Sequence, residues 1–284
     1  MQQFVNNNGV FVESDRPVIT YNNRAFCYGD ALFETIRITN STPQFLKDHI
    51  LRLNKGMAVF KMEANTQLNE QYLENAIKEL AAKNEVGTDG RVRLTVYRNA
   101  GGLYTPEDNT VSFLIEAGAI EEKGYELNTK GYTVDLFPEY TKPRNALSSI
   151  KSANSAIYVL AGLYKKAHAL DDCLLSNDKG HIIESISSNI FAVKNGVLYT
   201  APVADGCLEG VMRKKVMELA RKNRIAVEEI SIMQNVLLSA DELFLTNALR
   251  GIRWVVAYKQ KRYFNNTSKN LIEKLNELVS GELV

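Results

Sequence analysis

The 284-residue chain is poor in the residues that build disulfide and metal frameworks. Its 3 cysteines, Cys27, Cys173 and Cys207, are odd in number and far apart, which argues against a disulfide scaffold and against a zinc knuckle. Its 3 histidines, His49, His168 and His181, have no metal-ligand spacing, so no metal is expected. No uninterrupted apolar run reaches the roughly 20 residues that cross a bilayer. The opening MQQFVNNNGVFVESD lacks the basic-then-apolar order of a signal peptide, and a cytoplasmic protein is expected. Charge of one sign is missing too: Lys+Arg 34 against Asp+Glu 33 leaves a net charge of +1. That balance predicts no nucleic-acid partner and no anionic membrane.

What is present is ordinary for a soluble enzyme or binding protein, 45% hydrophobic and 24% charged, with no repeat and no low-complexity tract. The length suits one large domain or two medium ones. GVFVES and FETIRI read as strands. Asp48 is a candidate N-cap for an amphipathic helix whose stripe is Ile50, Leu53, Met57 and Phe60. A second helix is expected over about 68–83, with Leu73, Ile77 and Leu80 inward. RVRLTVYR alternates as a half-buried strand does, and TVSFLIEAG is another strand. The polar AIEEKGYELNTKG reads as a linker. In the second half, DCLLSNDKGHIIES and NIFAVKNGVLYTAP read as hairpins, the latter across Asn195-Gly196, a strong two-residue turn signal. Hairpins grouped with separate helices predict an α+β fold in two lobes: residues 1–118, a linker over 119–130, and 131–284.

Three features of the second half can carry chemistry. Lys151 precedes a stretch of helical spacing (Ile157, Leu160, Tyr164) and is expected at the start of that helix. Glu184 is a carboxylate within a strand-like apolar run. GCLEGVMRKK is a glycine-containing turn opening a helix, whose unsatisfied N–H groups suit a phosphate. An amine, a carboxylate and a phosphate cradle are the parts that pyridoxal 5′-phosphate requires. Each has a plainer alternative: a solvated lysine, an exposed edge carboxylate and an ordinary helix start.

The blocks FCYGDALFETIRI, HILRLNKGM, IKSANSAIYVL, DDCLLSNDKGHIIESISSNIFAVKNGVLYTAP, CLEGVMR and DELFLTNA occur in that order. With them the chain resembles, over nearly its full length, the class IV aminotransferases, the fold-type IV pyridoxal-phosphate enzymes. These include branched-chain aminotransferases, D-amino acid aminotransferases and aminodeoxychorismate lyases. The resemblance implies a two-lobed, D-amino acid aminotransferase-like fold and a homodimer. It implies that Lys151 is the Schiff-base lysine and moves protons, and that Glu184 partners the pyridine nitrogen. Arg52 is implied to bind the phosphate; its competing reading is an i,i+4 pair with Asp48. Leu208 is implied to lie against the ring, Val211 and Met212 to form the phosphate turn through backbone N–H, and Asn247 and Ala248 to form the second phosphate turn.

The resemblance also frames the reaction. Amino-group transfer between an amino acid and a 2-oxo acid, of the branched-chain type, is expected first. The alternative is a 4-amino-4-deoxychorismate lyase forming p-aminobenzoate and pyruvate. The Arg-Ala-His clamp of D-amino acid aminotransferases is missing from YRNAGGLYTPED, and Ala156 replaces a tyrosine of branched-chain enzymes. RNAGGLYT, GVMR and TNA resemble the lyase branch. Candidate cations for a substrate carboxylate are Arg98, Arg144, Arg250 and Arg253.

Overall fold

The computed structural model describes residues 3–281 and divides the chain into two units. The first runs to Gly124 and takes in Ile150–Asn154; the second holds Tyr125–Ser149 and resumes at Ser155. The chain therefore changes unit inside the 119–130 stretch, but it also sends five residues back, where the sequence suggested an unbroken second domain from 131 onward.

The first unit contains β1 (Phe4–Asn7), β2 (Val10–Glu13), α1 (Arg24–Tyr28), β3 (Ala31–Thr39), β4 (Thr42–Pro43), α2 (Leu46–Val59), α3 (Glu70–Lys83), β5 (Gly90–Arg98) and β6 (Val111–Ala119). The strands form one antiparallel sheet in the order β2-β1-β6-β5-β3-β4. The alternation of β5 turns Val92, Leu94 and Val96 inward, where they share a core with Ile50, Leu53 and Met57 of α2 and Leu73, Ile77 and Leu80 of α3. Each such side chain contributes about 1.5–3 kcal/mol by leaving water. The N-cap of α2 is Phe45, in left-handed backbone at φ 54°, so Asp48 is not the cap; it sits in the first turn, where its charge complements the helix dipole.

Because β4 pairs only with Ile38 and Thr39, the other end of β3 is open to a partner. The returning segment takes it. Phe33 N–H donates to the Lys151 carbonyl at 3.0 Å, Ala153 N–H donates to the Ala31 carbonyl at 2.9 Å, and Leu32 bridges Ser152. Lys151 thus lies in extended chain bonded to a strand, not at a helix start as expected.

The second unit contains β7 (Tyr132–Leu136), α4 (Ala156–Ala167), β8 (Asp172–Ser176), β9 (Ile182–Ser185), β10 (Asn189–Lys194), β11 (Val197–Thr200), α5 (Val211–Lys222), β12 (Val227–Glu229), α6 (Gln234–Ser239), β13 (Glu242–Asn247), β14 (Gly251–Tyr258), β15 (Lys261–Arg262) and α7 (Asn266–Ser280). Strands β10-β13-β14-β7-β8-β9 pair in sequence, and β9 pairs again with β10, which closes a ring. The closing rung carries Glu184, opposite Leu175 on one side and Asn189 on the other. Leu174, Ile183, Ile190, Leu243, Leu245 and Val255 belong to the core of this unit. Asn195 and Gly196 both take positive φ, 50° and 77°, as a two-residue hairpin turn needs. In α4 the inward set is Ile157, Tyr158, Ala161 and Tyr164, while Leu160, expected inside, is 40% exposed.

Candidate functional site

In the first unit, Lys151 stands beside Phe33, its Nζ 4.3 Å from the ring centroid. The next residue of β3, Glu34, is a 1%-exposed carboxylate that gathers two cationic or polar partners from α2. Arg52 donates Nε to Oε1 at 2.8 Å and Nη2 to Oε2, and His49 Nδ1 lies 2.7 Å from Oε2. Glu34 is thus a partner of Arg52. His49 and Arg52 are three residues apart on one helix face, which is why one carboxylate can reach both. Burial alone would raise the Glu34 carboxyl, but the Arg52 and His49 charges and their hydrogen bonds outweigh it and bring it down to about 2. Burial lowers His49, and the positive charges of Arg52 and Lys151 add to that, against the opposing pull of Glu34. Facing a carboxylate, His49 carries a proton on Nδ1, the nitrogen that meets Glu34.

In the second unit, Glu184 is 2% exposed and accepts hydrogen bonds from three of its own neighbours. Its Oε1 accepts Lys142 Nζ at 2.6 Å and the Tyr158 hydroxyl at 2.8 Å; its Oε2 accepts the Leu208 N–H at 2.7 Å. Burial, then the neighbouring carboxylate, hold the Tyr158 hydroxyl far above its ordinary range, so it stays a donor. Leu208 is clamped at both ends of its peptide: its carbonyl accepts Asn189 Nδ2 at 2.8 Å and the Gly210 N–H at 2.9 Å.

That clamp presents the start of α5. Gly210 is the N-cap, extended and without a side-chain cap bond. The first bond of the helix runs from Lys214 N–H to the Gly210 carbonyl, so the N–H groups of Val211 and Met212 precede the intrahelical ladder. The side chains of Val211 and Met212 are buried, 4% and 1% exposed, and only their backbone is presented. At the turn after β13, the Asn247 side chain accepts the Arg250 N–H at 2.8 Å and donates to Ser188 at 2.9 Å, and the Ala248 carbonyl accepts the Tyr125 hydroxyl at 3.1 Å.

The candidate substrate cations separate sharply. Arg98 is buried and donates to Asp30 twice, to Asn109 and to the carbonyls of Phe60 and Lys61. These five contacts use its five N–H groups, so the structure gives it work inside the first unit and not at a substrate. Arg253 is buried and donates to the Glu126 carbonyl. Arg144 and Arg250 are exposed, Arg250 reaching the Tyr132 hydroxyl at 3.2 Å. Lys142, Tyr158, His49 and Glu34 carry no sequence signal of their own role; only FETIR and HILRL, read together, place Glu34 and His49 near Arg52.

Known proteins resemble the chain in family and in fold. A family model described as amino-transferase class IV matches residues 31–258. A Methanocaldococcus jannaschii protein with a provisional branched-chain-amino-acid aminotransferase name is 30% identical over 271 residues, 95% of this chain and 93% of its own. The D-alanine aminotransferase of Bacillus licheniformis is 30% identical over 247 residues, 84% of this chain and 83% of its own. The fold matches a branched-chain aminotransferase from the thermophilic archaeon Thermoproteus uzoniensis, crystallised with norvaline, at a TM-score of 0.89 and 23% identity, covering 99% of this chain and 96% of that one.

Proposed function

The chain belongs to the class IV aminotransferase family, and from that premise we propose that it transfers an amino group between an amino acid and a 2-oxo acid with pyridoxal 5′-phosphate as cofactor. When bound, the cofactor supplies an electron-accepting ring that stabilises negative charge at the substrate α-carbon. The observation that carries the reading is the donor set of Glu184. A carboxylate has about four acceptor positions, and three here are filled by Lys142, Tyr158 and Leu208. One remains on Oε2, which fits the N–H of a protonated aromatic ring.

The other residues divide the work. By family likeness, Lys151 would hold the cofactor covalently and carry the proton to and from the substrate. Arg52, oriented by Glu34, would hold the phosphate, as would the N–H groups of Val211 and Met212. Leu208 would face the ring, and Asn247 and Ala248 would supply the second phosphate turn through their backbone. Arg144 and Arg250 are the cations offered to a substrate carboxylate. A second copy of the chain completes the molecule, a reading supported by Val159 and Leu163, 61% exposed each on α4. Unpaired Cys27, Cys173 and Cys207 fit a reducing, cytoplasmic setting.

The lyase is the second reading, favoured by one observation: neither Asn247 nor Ala248 offers a hydroxyl at this turn, and the Asn247 side chain is engaged by Arg250 N–H and Ser188. One experiment decides. Purified protein with cofactor is mixed with L-glutamate, D-glutamate, L-leucine and D-alanine in turn, and conversion to pyridoxamine 5′-phosphate is followed by absorbance. Conversion by any one establishes transfer and its handedness. No conversion, with pyruvate released from aminodeoxychorismate, replaces transfer by the lyase reaction.

A further inference from the structure

Lys142 belongs to no motif, yet it is one of the best-buried cations of the second unit, 6% exposed, and its ammonium is 2.6 Å from Glu184 Oε1. Its position is built rather than incidental. The Lys142 N–H donates to the Ser176 carbonyl at 2.9 Å, and Lys142 bridges Asn177 in parallel, so the backbone is stitched to the end of β8. The side chain then passes Tyr158, with Nζ 5.6 Å from that ring's centroid, before reaching the carboxylate. Taking an ammonium out of water is expensive, and only a close counter-charge offsets it. The counter-charge is the carboxylate read above as the partner of the cofactor's ring nitrogen.

We infer that Lys142 is a positioning residue that holds Glu184 as a carboxylate, fixes its rotamer together with Tyr158, and sets how readily the ring nitrogen keeps its proton. This rests on the proposed role of Glu184. The direction follows from charge. With Lys142 present, Glu184 and a neutral ring nitrogen make a pocket of zero net charge, and protonating the nitrogen raises it to +1. Without the lysine the same proton takes the pocket from −1 to zero, which is easier in a site of low dielectric. Lys142 therefore weakens the ring nitrogen's hold on its proton while keeping the carboxylate in place, and that tunes the strength of the electron sink.

The other groups around Glu184 do not change this balance. On α4 the Tyr158 hydroxyl stays protonated. Beside Leu208 the Cys207 thiol is pushed up to about 12, chiefly by burial, and stays neutral. On β8 Asp172 is raised by burial and accepts the Ser185 hydroxyl at 2.9 Å. Arg213 of α5 is paired with Glu229 at 2.6 Å, and His181 faces Asp205 at 3.2 Å. None of these contacts involves Lys142.

The test is a pH titration of the holoenzyme carrying 15N-labelled cofactor, with the ring-nitrogen chemical shift as readout. It compares wild type with Lys142→Met, Lys142→Arg, Tyr158→Phe and Glu184→Gln, each checked for folding by circular dichroism. Lys142→Met is expected to take up the ring proton about one pH unit or more above wild type. Lys142→Arg, which keeps the charge, is expected to stay close to wild type even if its longer head strains the pocket. Tyr158→Phe, which removes a donor without a charge, is expected to move the titration less than Lys142→Met. If Glu184→Gln shifts the titration and Lys142→Met does not, the inference about Lys142 is overturned and the role of Glu184 stands. If Glu184→Gln leaves the titration unmoved, the role of Glu184 is wrong and the inference goes with it. Should Lys142→Met not fold, Lys142→Arg titrating far from wild type would itself overturn the charge argument.

Discussion

Arg52 meets Glu34 side-on, giving Nε to one carboxylate oxygen at 2.8 Å and Nη2 to the other. The two residues come from α2 and β3, so the pair ties helix to sheet and at the same time fixes the orientation of the guanidinium. An arginine held this way loses little rotamer freedom when an anion arrives, because the freedom is already gone.

This arrangement makes stability depend on acid. The Glu34 carboxyl lies at about 2 in the folded chain, against an ordinary 4.5. A lowered folded value contributes stability that is present above pH 4.5 and is lost as pH falls from 4.5 toward 2. At about 1.4 kcal/mol per unit the contribution is roughly 3 kcal/mol. Glu34→Gln is expected to be destabilised by about that amount at pH 7, with the difference from wild type shrinking below pH 4.5. Urea unfolding at pH 7, 5, 4 and 3 measures it; a gap that stays constant with pH would refute the linkage.

Arg52→Ala is expected to weaken cofactor binding by roughly 10- to 100-fold, the worth of one charge-assisted contact to a phosphate. It also strands the Glu34 charge, so Arg52→Lys is the companion variant: it keeps the charge and loses the two-pronged geometry. Fluorescence titration of the cofactor-free protein with pyridoxal 5′-phosphate gives both affinities. Wild-type affinity in Arg52→Ala would remove the phosphate role.

For Lys151→Ala the expected loss of turnover is roughly 10³-fold or more, as for a residue that holds the reacting group covalently. The fold should survive, because the segment is held to β3 through backbone bonds at Lys151 and Ala153 that alanine keeps. Borohydride reduction of the wild-type holoenzyme followed by peptide mass mapping should place the cofactor's mass on Lys151. Label on another lysine would reassign the role.

Much of the fold was legible where pattern and burial agree. Val92, Leu94 and Val96 alternate with polar neighbours and form a strand; Leu73, Ile77 and Leu80 recur at helical spacing and form a helix; Asn195-Gly196 makes its turn. An apolar run such as Gly251–Tyr258 has no such period, because it is covered on both faces of its sheet. Lys151 shows a different limit. Its neighbours have helical spacing, but the helix begins only at Ala156, because the preceding residues bond to the open end of β3, a partner more than 100 positions away in sequence. The roles proposed for Lys151, Glu184 and Arg52 rest on family likeness, since the residue types alone left each a plainer reading. Lys142 was not readable at all: in EYTKPRN it looks like any solvated lysine, and its burial is decided by where β8 and β9 carry Ser176 and Glu184.

Gly210 supplies the last prediction. Its backbone is extended, at φ −70° and ψ 133°, a conformation open to any residue, so glycine is not required there for its torsions. It is required for space. A Cβ at this position would fall 1.9 Å from Asn189 Oδ1, far inside contact distance. Asn189 cannot simply step aside, since its Nδ2 holds the Leu208 carbonyl and Leu208 N–H holds Glu184. Gly210→Ala is therefore expected to push Asn189 off Leu208, to lose roughly 1–3 kcal/mol of stability as an overpacked site does, and to weaken cofactor binding through both Glu184 and the N–H groups at the start of α5. Asn189→Ala relieves the clash, so the double variant Gly210→Ala/Asn189→Ala should unfold close to Asn189→Ala alone. Additive losses in that cycle, measured by thermal unfolding with and without cofactor, would show that the glycine serves something other than the approach of Asn189.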